Sequence, residues 1–207
     1  MKTMKQWVSV AILILCGITI TGCKNNTTNT QPENQTIVEN ENNVMEEEET
    51  LLSAIDRYMV NEIGKHYSQG DVCIPCVTII GTDESNDDDI KVWGDFWVFN
   101  YNQVGDTLKT VSGGDHPGLM HVKKTVEGYE VIAFDAVVDG AGNLESAKKI
   151  FGEKYDAFHA INSDDKKREE NRMHIITDYV KKHQLPVTMY QDYGWPVIAL
   201  PLDNKKQ

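Results

Sequence analysis

The chain has 207 residues, 32 of them Asp or Glu against 20 Lys or Arg, and is 40% hydrophobic and 25% charged. That composition leaves room for one packed domain with accessory segments and excludes collagenous, wholly disordered and multi-span membrane proteins. The net charge of −12 argues against a nucleic-acid partner, because phosphate recognition needs clustered Lys and Arg that release counterions.

Lys2 and Lys5 precede an apolar run from Trp7 to Ile20. At about 14 residues the run is short of the ~20 that cross a bilayer as a helix. It ends in Ile20-Thr21-Gly22-Cys23, small residues ahead of a cysteine. This segment resembles the lipobox of bacterial lipoproteins. The resemblance implies a signal peptide over residues 1–22, cleavage before Cys23, and a diacylglyceryl group on Cys23 that anchors the chain in membrane lipid, facing outside the cytoplasm. Residues 23–43 are rich in Asn, Thr, Gln and Glu and predict a solvated, disordered tether, since they hold too little apolar surface to offset ordering. From Thr50 onward the chain carries 17 basic and 25 acidic residues, net −8. That sign keeps the domain off anionic headgroups, so the lipid itself supplies attachment.

Residues 44–207 are expected to form one α+β domain. From Val44 to Tyr67 apolar residues recur with helical spacing, at Leu51, Ile55, Tyr58, Met59 and Ile63 among others, which predicts a first helix. Val72–Thr82 reads as a strand, with Pro75 implying an edge position or a bulge. After an acidic loop, Ile90–Tyr101 alternates strongly, with Trp93, Trp97, Phe99 and Tyr101 on one face and Phe96 and Val98 on the other. Gly105-Asp106 leads into a strand over Thr107–Val111. Gly113-Gly114 and Pro117-Gly118 turn into Leu119–Lys124, and Glu127-Gly128 into Tyr129–Val137. A second helix is predicted from Asn143 to about Ile161 and a third over Lys166–His183, capped by Ser163, Asp164 and Asp165 and stopped by Leu185-Pro186. The tail, with Tyr190, Tyr193 and Trp195, crosses the body or adds one irregular strand. The expected architecture is an N-terminal helix packed on a curved antiparallel sheet of four to five strands, followed by two C-terminal helices. In element order, residues 44–137 resemble the cystatin and nuclear-transport-factor-2-like rolls, folds that host binding, dimerisation and catalysis alike.

Four segments carry candidate chemistry. Cys73-Ile74-Pro75-Cys76 has the C-x-x-C spacing of thioredoxin-like proteins, but Val77-Thr78-Ile79-Ile80 after it is strand-like instead of helical. Positions three apart in a regular strand lie about 10 Å apart, beyond disulfide reach unless Pro75 bulges. Asp83, Ser85, Asp87 and Asp89 alternate like the start of a calcium loop, yet Asp88 and Gly94 stand where such a loop needs Gly and Glu. Gly113 to His121 is glycine-rich and brings Asp115, His116 and His121 close in sequence, as metal ligands or as a base with its partner, with no nucleophile tied to them. Trp93, Trp97, Phe99 and Tyr101 offer either a stacking platform for carbohydrate or peptide, or the surface on which the first helix packs. No phosphate loop, H-E-x-x-H, G-x-S-x-G or S-x-x-K motif occurs.

These readings predict a binding or interaction module, not an enzyme, without catalytic residues, cofactor or resident metal. Its ligand, a protein or a small molecule, would meet Trp97, Tyr101, Asp115, His116 or His121. Two alternatives stand beside it: a thiol–disulfide protein using Cys73 and Cys76, and a metal-binding or hydrolytic site around His116 and His121.

Overall fold

The computed structural model describes residues 49–202. The signal peptide, the lipidated Cys23 and the tether expected over 1–43 lie outside the described residues.

Helix α1 (Leu51–Tyr58) begins where the Thr50 hydroxyl accepts the Ser53 N–H at 3.1 Å, satisfying one of the free donors of a helix start. The predicted helix does not run on to Tyr67. It widens into a π turn (Met59–Ile63) and tightens into a 3-10 turn (Gly64–His66). Gly64 explains the tight approach to the sheet there, since a Cβ on it would stand 2.8 Å from Cys73 Sγ.

Seven strands form one sheet, more than the four to five expected. They are β1 (Val72–Asp83), β2 (Ile90–Val104), β3 (Thr107–Asp115), β4 (Gly118–Thr125), β5 (Gly128–Ala136), β6 (Met189–Gln191) and β7 (Ile198–Ala199). β2 organises the sheet. One of its edges pairs with β1, while the other pairs with β4 through Ile90–Gly94 and with β3 through Trp97–Val104. β3 and β4 therefore lie end to end beside β2. β5 continues beyond β4, and β6 adds in parallel beyond β3, with β7 outside it. The two extra strands come from the tail, which β3 recruits through its free edge.

Gly113 and Gly114 do not turn the chain but sit within β3. A Cβ at Gly113 would lie 2.6 Å from the Val98 carbonyl oxygen, and one at Gly114 would overlap the Tyr67 hydroxyl. These glycines answer a close approach, and the bend comes at His116-Pro117, where Pro117 has no N–H for a ladder. Pro75 sits on β1, which pairs only with β2, so its missing donor falls on an edge.

After the meander the chain forms three helices instead of two: α2 (Asn143–Phe151), α3 (Tyr155–Asn162) and α4 (Asp165–Lys182). Gly152, at φ 52°, splits the single helix predicted over 143–161. Asp164 caps α4 by accepting the Lys167 N–H at 3.0 Å. At its other end Gln184 takes φ 51° and the Leu185 N–H bonds the Val180 carbonyl at 3.0 Å, the left-handed closure that stops a helix.

The two faces of β2 pack on different partners. Val92, Phe96 and Val98 join Ile55 of α1 and Met59 of the π turn in one core. Trp97, Phe99 and Tyr101 join Ile176 and Val180 of α4 and Tyr190 of β6 in another. The aromatic stripe thus lies under α4, not under the first helix, while Trp93 packs with α2 and α3 against Phe151 and Phe158. Among the described residues no helix is long and apolar enough to cross a membrane.

Candidate functional site: a cavity under helix α4

Between α4 and the aromatic face of the sheet lies a cavity of about 260 Å³. Its floor is Cys76 and Thr78 of β1 with Asp95, Trp97 and Phe99 of β2, and its roof is α4. Register explains the floor: Thr78 stands opposite Asp95 and Cys76 opposite Trp97, so alternate residues of both strands point the same way. The roof follows helical spacing, since Arg168 and Arg172 precede Ile176 and Val180 at steps of four.

Asp95 is 1% exposed and its Oδ1 has no hydrogen-bond partner. Its Oδ2 accepts the Trp97 indole N–H at 3.3 Å. Asp115, the β3 residue directly opposite Trp97 of β2, also holds an Oδ1 without a donor, while Asn162 of α3 donates to its Oδ2 at 3.3 Å. The two carboxyls are within hydrogen-bonding reach of each other. Burial above all, then the Asp95 carboxyl, raises the Asp115 pKa well above the ordinary carboxylate range, against the pull of Arg168. The raised affinity keeps a proton on Asp115, the outcome when close carboxylates cannot both ionise.

The arginines above the floor are already committed. Arg172, 8% exposed, donates to Asp192 at 2.6 and 2.8 Å and to the Tyr101 hydroxyl at 2.7 Å. Burial opposes the charge on Asp192, but hydrogen bonds from Arg172 and Thr110 hold its pKa below the usual carboxylate range. Arg172 also stacks 3.8 Å above the Phe99 ring and Arg168 lies 5.1 Å from the Trp97 ring centre. Arg168 pairs with Asp165, and Glu169 accepts from the Tyr190 hydroxyl. Asn171 closes one wall by donating to the Thr78 hydroxyl at 2.8 Å.

Next to the cavity, and sharing Phe99 and Glu169 with it, is an open groove of about 510 Å³ lined by Asp192, Tyr193, Trp195, Pro196 and Ile198. Tyr193 and Trp195 are 69% and 71% exposed. They are presented by a turn in which Tyr193 (φ 36°) and Gly194 (φ 89°) both take positive φ and the Trp195 N–H bonds the Asp192 carbonyl at 2.6 Å.

The structure brings some of the predicted site residues together and separates others. Trp97 lines the cavity and Asp115 abuts it. Tyr101 is fully buried beneath them, its hydroxyl held by Arg172, so it belongs to the core. His116 bonds the Tyr67 hydroxyl at 2.8 Å, and burial lowers its pKa. His121 sits on β4 between Asp89, 2.6 Å from Nδ1, and Asp135, 3.7 Å from Nε2. The two histidines have no common partner, and among the described residues no three His, Cys, Asp or Glu side chains gather as a metal-holding set. In the acidic loop, Asp83 accepts the Ser85 N–H at 3.1 Å and Asp88 pairs with Lys123 at 2.8 Å. Cys73 and Cys76 carry free thiols and pack in opposite cores, one toward α1 and the other toward α4. The sheet register runs unbroken through Pro75, so no bulge draws them together. Burial raises both thiols, Cys76 to about 12.

Asp95, Arg168, Asn171 and Arg172 were missed in the sequence, although two signals pointed to them. Asp95 is a lone acid inside the Trp93–Trp97–Phe99 alternation, and Arg168 and Arg172 continue the apolar face of α4 toward its start.

Fold and site together define an α+β domain with a polar, aromatic-floored cavity between sheet and helix. Compared with protein-family models, curated proteins and solved structures, the chain matches none.

Proposed function

We propose that this chain is an exported, lipid-anchored protein whose α+β domain is a binding module, with its ligand held in the cavity under α4. The observation that carries the reading is Asp95: it lines the cavity, is 1% exposed, and has a carboxyl oxygen without a partner. A buried acceptor left unsatisfied costs about 1–3 kcal/mol, and a ligand donor entering the cavity relieves that cost. The volume of about 260 Å³ sits at the small end of ligand pockets, which run from about 300 Å³ upward, so the bound group is small. The Ile20-Thr21-Gly22-Cys23 sequence supports the anchor. The order α1 then β1–β5, with α1 packed on one face of the meander, supports a cystatin-like or nuclear-transport-factor-2-like roll over residues 49–136, extended by α2–α4 and the β6–β7 edge.

A thermal-shift screen of a fragment library against the full chain and its Asp95→Asn variant tests this. Fragments that raise the melting temperature of the parent chain are expected to lose that effect in the variant. Equal responses from both proteins would place binding elsewhere.

A further inference from the structure

We propose that the cavity and the aromatic groove beside it form a two-part site for an uncharged oligosaccharide, one ring entering the cavity and the next stacking on Tyr193 and Trp195. The inference rests on the binding role assigned above to the cavity and names the ligand class that its chemistry accepts.

Charge narrows the choice from both sides. An anionic ligand needs a free cation, but Arg168 is paired with Asp165, and Arg172 with Asp192 and Glu169. The domain's net charge of −8 from Thr50 onward repels anions further. A cationic ligand seeks an aromatic face, but the Trp97 and Phe99 rings already carry the Arg168 and Arg172 guanidiniums, which repel a second cation. What remains is a neutral molecule rich in hydrogen-bonding groups. A sugar hydroxyl both donates and accepts, so it can donate to Asp95 Oδ1 and accept from Asn171 or a guanidinium without bringing charge into the site.

The groove supplies the second element of sugar recognition. Sugar rings have C–H faces that pack on aromatic planes, and Tyr193 and Trp195 are the two most exposed aromatic side chains among the described residues. Their placement carries conformational strain: Tyr193 is held at φ 36°, a region that β-carbons disfavour. Phe99 and Glu169 line both, so groove and cavity adjoin. Together they have room for more than one ring, which the cavity alone does not.

The test is isothermal titration of the full chain, in a detergent without a sugar headgroup, with cellotriose, maltotriose and tri-N-acetylchitotriose. A tetraalkylammonium salt and a neutral tripeptide serve as probes of other classes. At least one trisaccharide is expected to bind, Trp195→Ala to weaken it about tenfold, and Asp95→Asn to weaken it by more. Circular dichroism checks that each variant folds, and Asn171→Ala, on the cavity wall, replaces Asp95→Asn should that variant misfold. Binding of the ammonium or the peptide that depends on Asp95, with no trisaccharide bound, overturns the saccharide assignment and leaves the binding role intact. No Asp95-dependent binding of any probe overturns both. Trisaccharide binding unaffected by both substitutions, at the groove and at the cavity, places the sugar elsewhere and also overturns the proposal.

Discussion

Asp115 sits buried beside the Asp95 carboxyl, and its Oδ1 has no donor. Folding raises the affinity of Asp115 for its proton, with burial as the chief cause and the Asp95 carboxyl next. A carboxyl with a raised folded pKa contributes stability that is complete below its unfolded value, 3.8 here, and is lost as pH rises through the raised value. Asp56, pushed up to about 6 by burial against the pull of Lys182, acts with the same sign from 3.8 to about 6. Urea unfolding is accordingly expected to show stability declining from mildly acid to alkaline pH. The slope for one released proton reaches about 1.4 kcal/mol per pH unit. Asp115→Asn should flatten the part of the decline that lies above pH ~6, where Asp56 has already titrated. An alkaline decline identical in parent and variant would show that Asp115 holds no extra proton.

At the scale of elements, the site depends on how β3 and β4 lie along β2. Because β3 runs through Gly113-Gly114 to Asp115 and bends only at His116-Pro117, Asp115 reaches the register opposite Trp97 and meets Asp95. A turn at the glycines would have carried it away. Gly114→Ala pushes a methyl group into the Tyr67 hydroxyl, which in turn holds His116. A loss of about 1–3 kcal/mol is expected, the range for overpacking a tight site, read by urea denaturation together with altered ligand affinity. A neutral effect would mean that β3 does not pass so close to the chain after α1. This segment also shows how far the sequence was legible. Alternation marked β2 correctly because its two faces are both packed, and Asp164 marked the start of α4 because capping is local. Gly113-Gly114 read as a turn because glycine has two uses, turning and close approach, and only the packed chain tells them apart. Gly152 was hidden inside a continuous helical pattern, and of β6 and β7 only one irregular tail strand was foreseen as an alternative, because two- and three-residue strands carry no period of their own. Trp97 and Asp115 were legible as site candidates. Asp95 and the α4 arginines were not singled out, because their role arises where a helix late in the chain crosses a strand more than 70 residues earlier.

For the whole molecule, the proposed lipid on Cys23 would supply membrane attachment, since a net charge of −12 gives the chain no attraction to anionic headgroups. In a bacterial host fed a labelled fatty acid, the parent chain is expected to take up label and sediment with membranes, while Cys23→Ser does neither. Label retained by the variant would contradict the anchor. What the domain binds turns on the cavity. Its tryptophans are placed to report on it: the Trp97 indole bonds Asp95 in the floor, Trp195 stands on the neighbouring shelf, and the Trp93 indole is tied to the Ile150 carbonyl at 2.9 Å, under α2. The most direct measurement is the set of indole N–H resonances of nitrogen-15-labelled full chain, titrated with the best-binding trisaccharide. The account predicts that the Trp97 and Trp195 signals move together with one dissociation constant while Trp93 stays still. Saturable movement of Trp93 with Trp97 and Trp195 unchanged would contradict it.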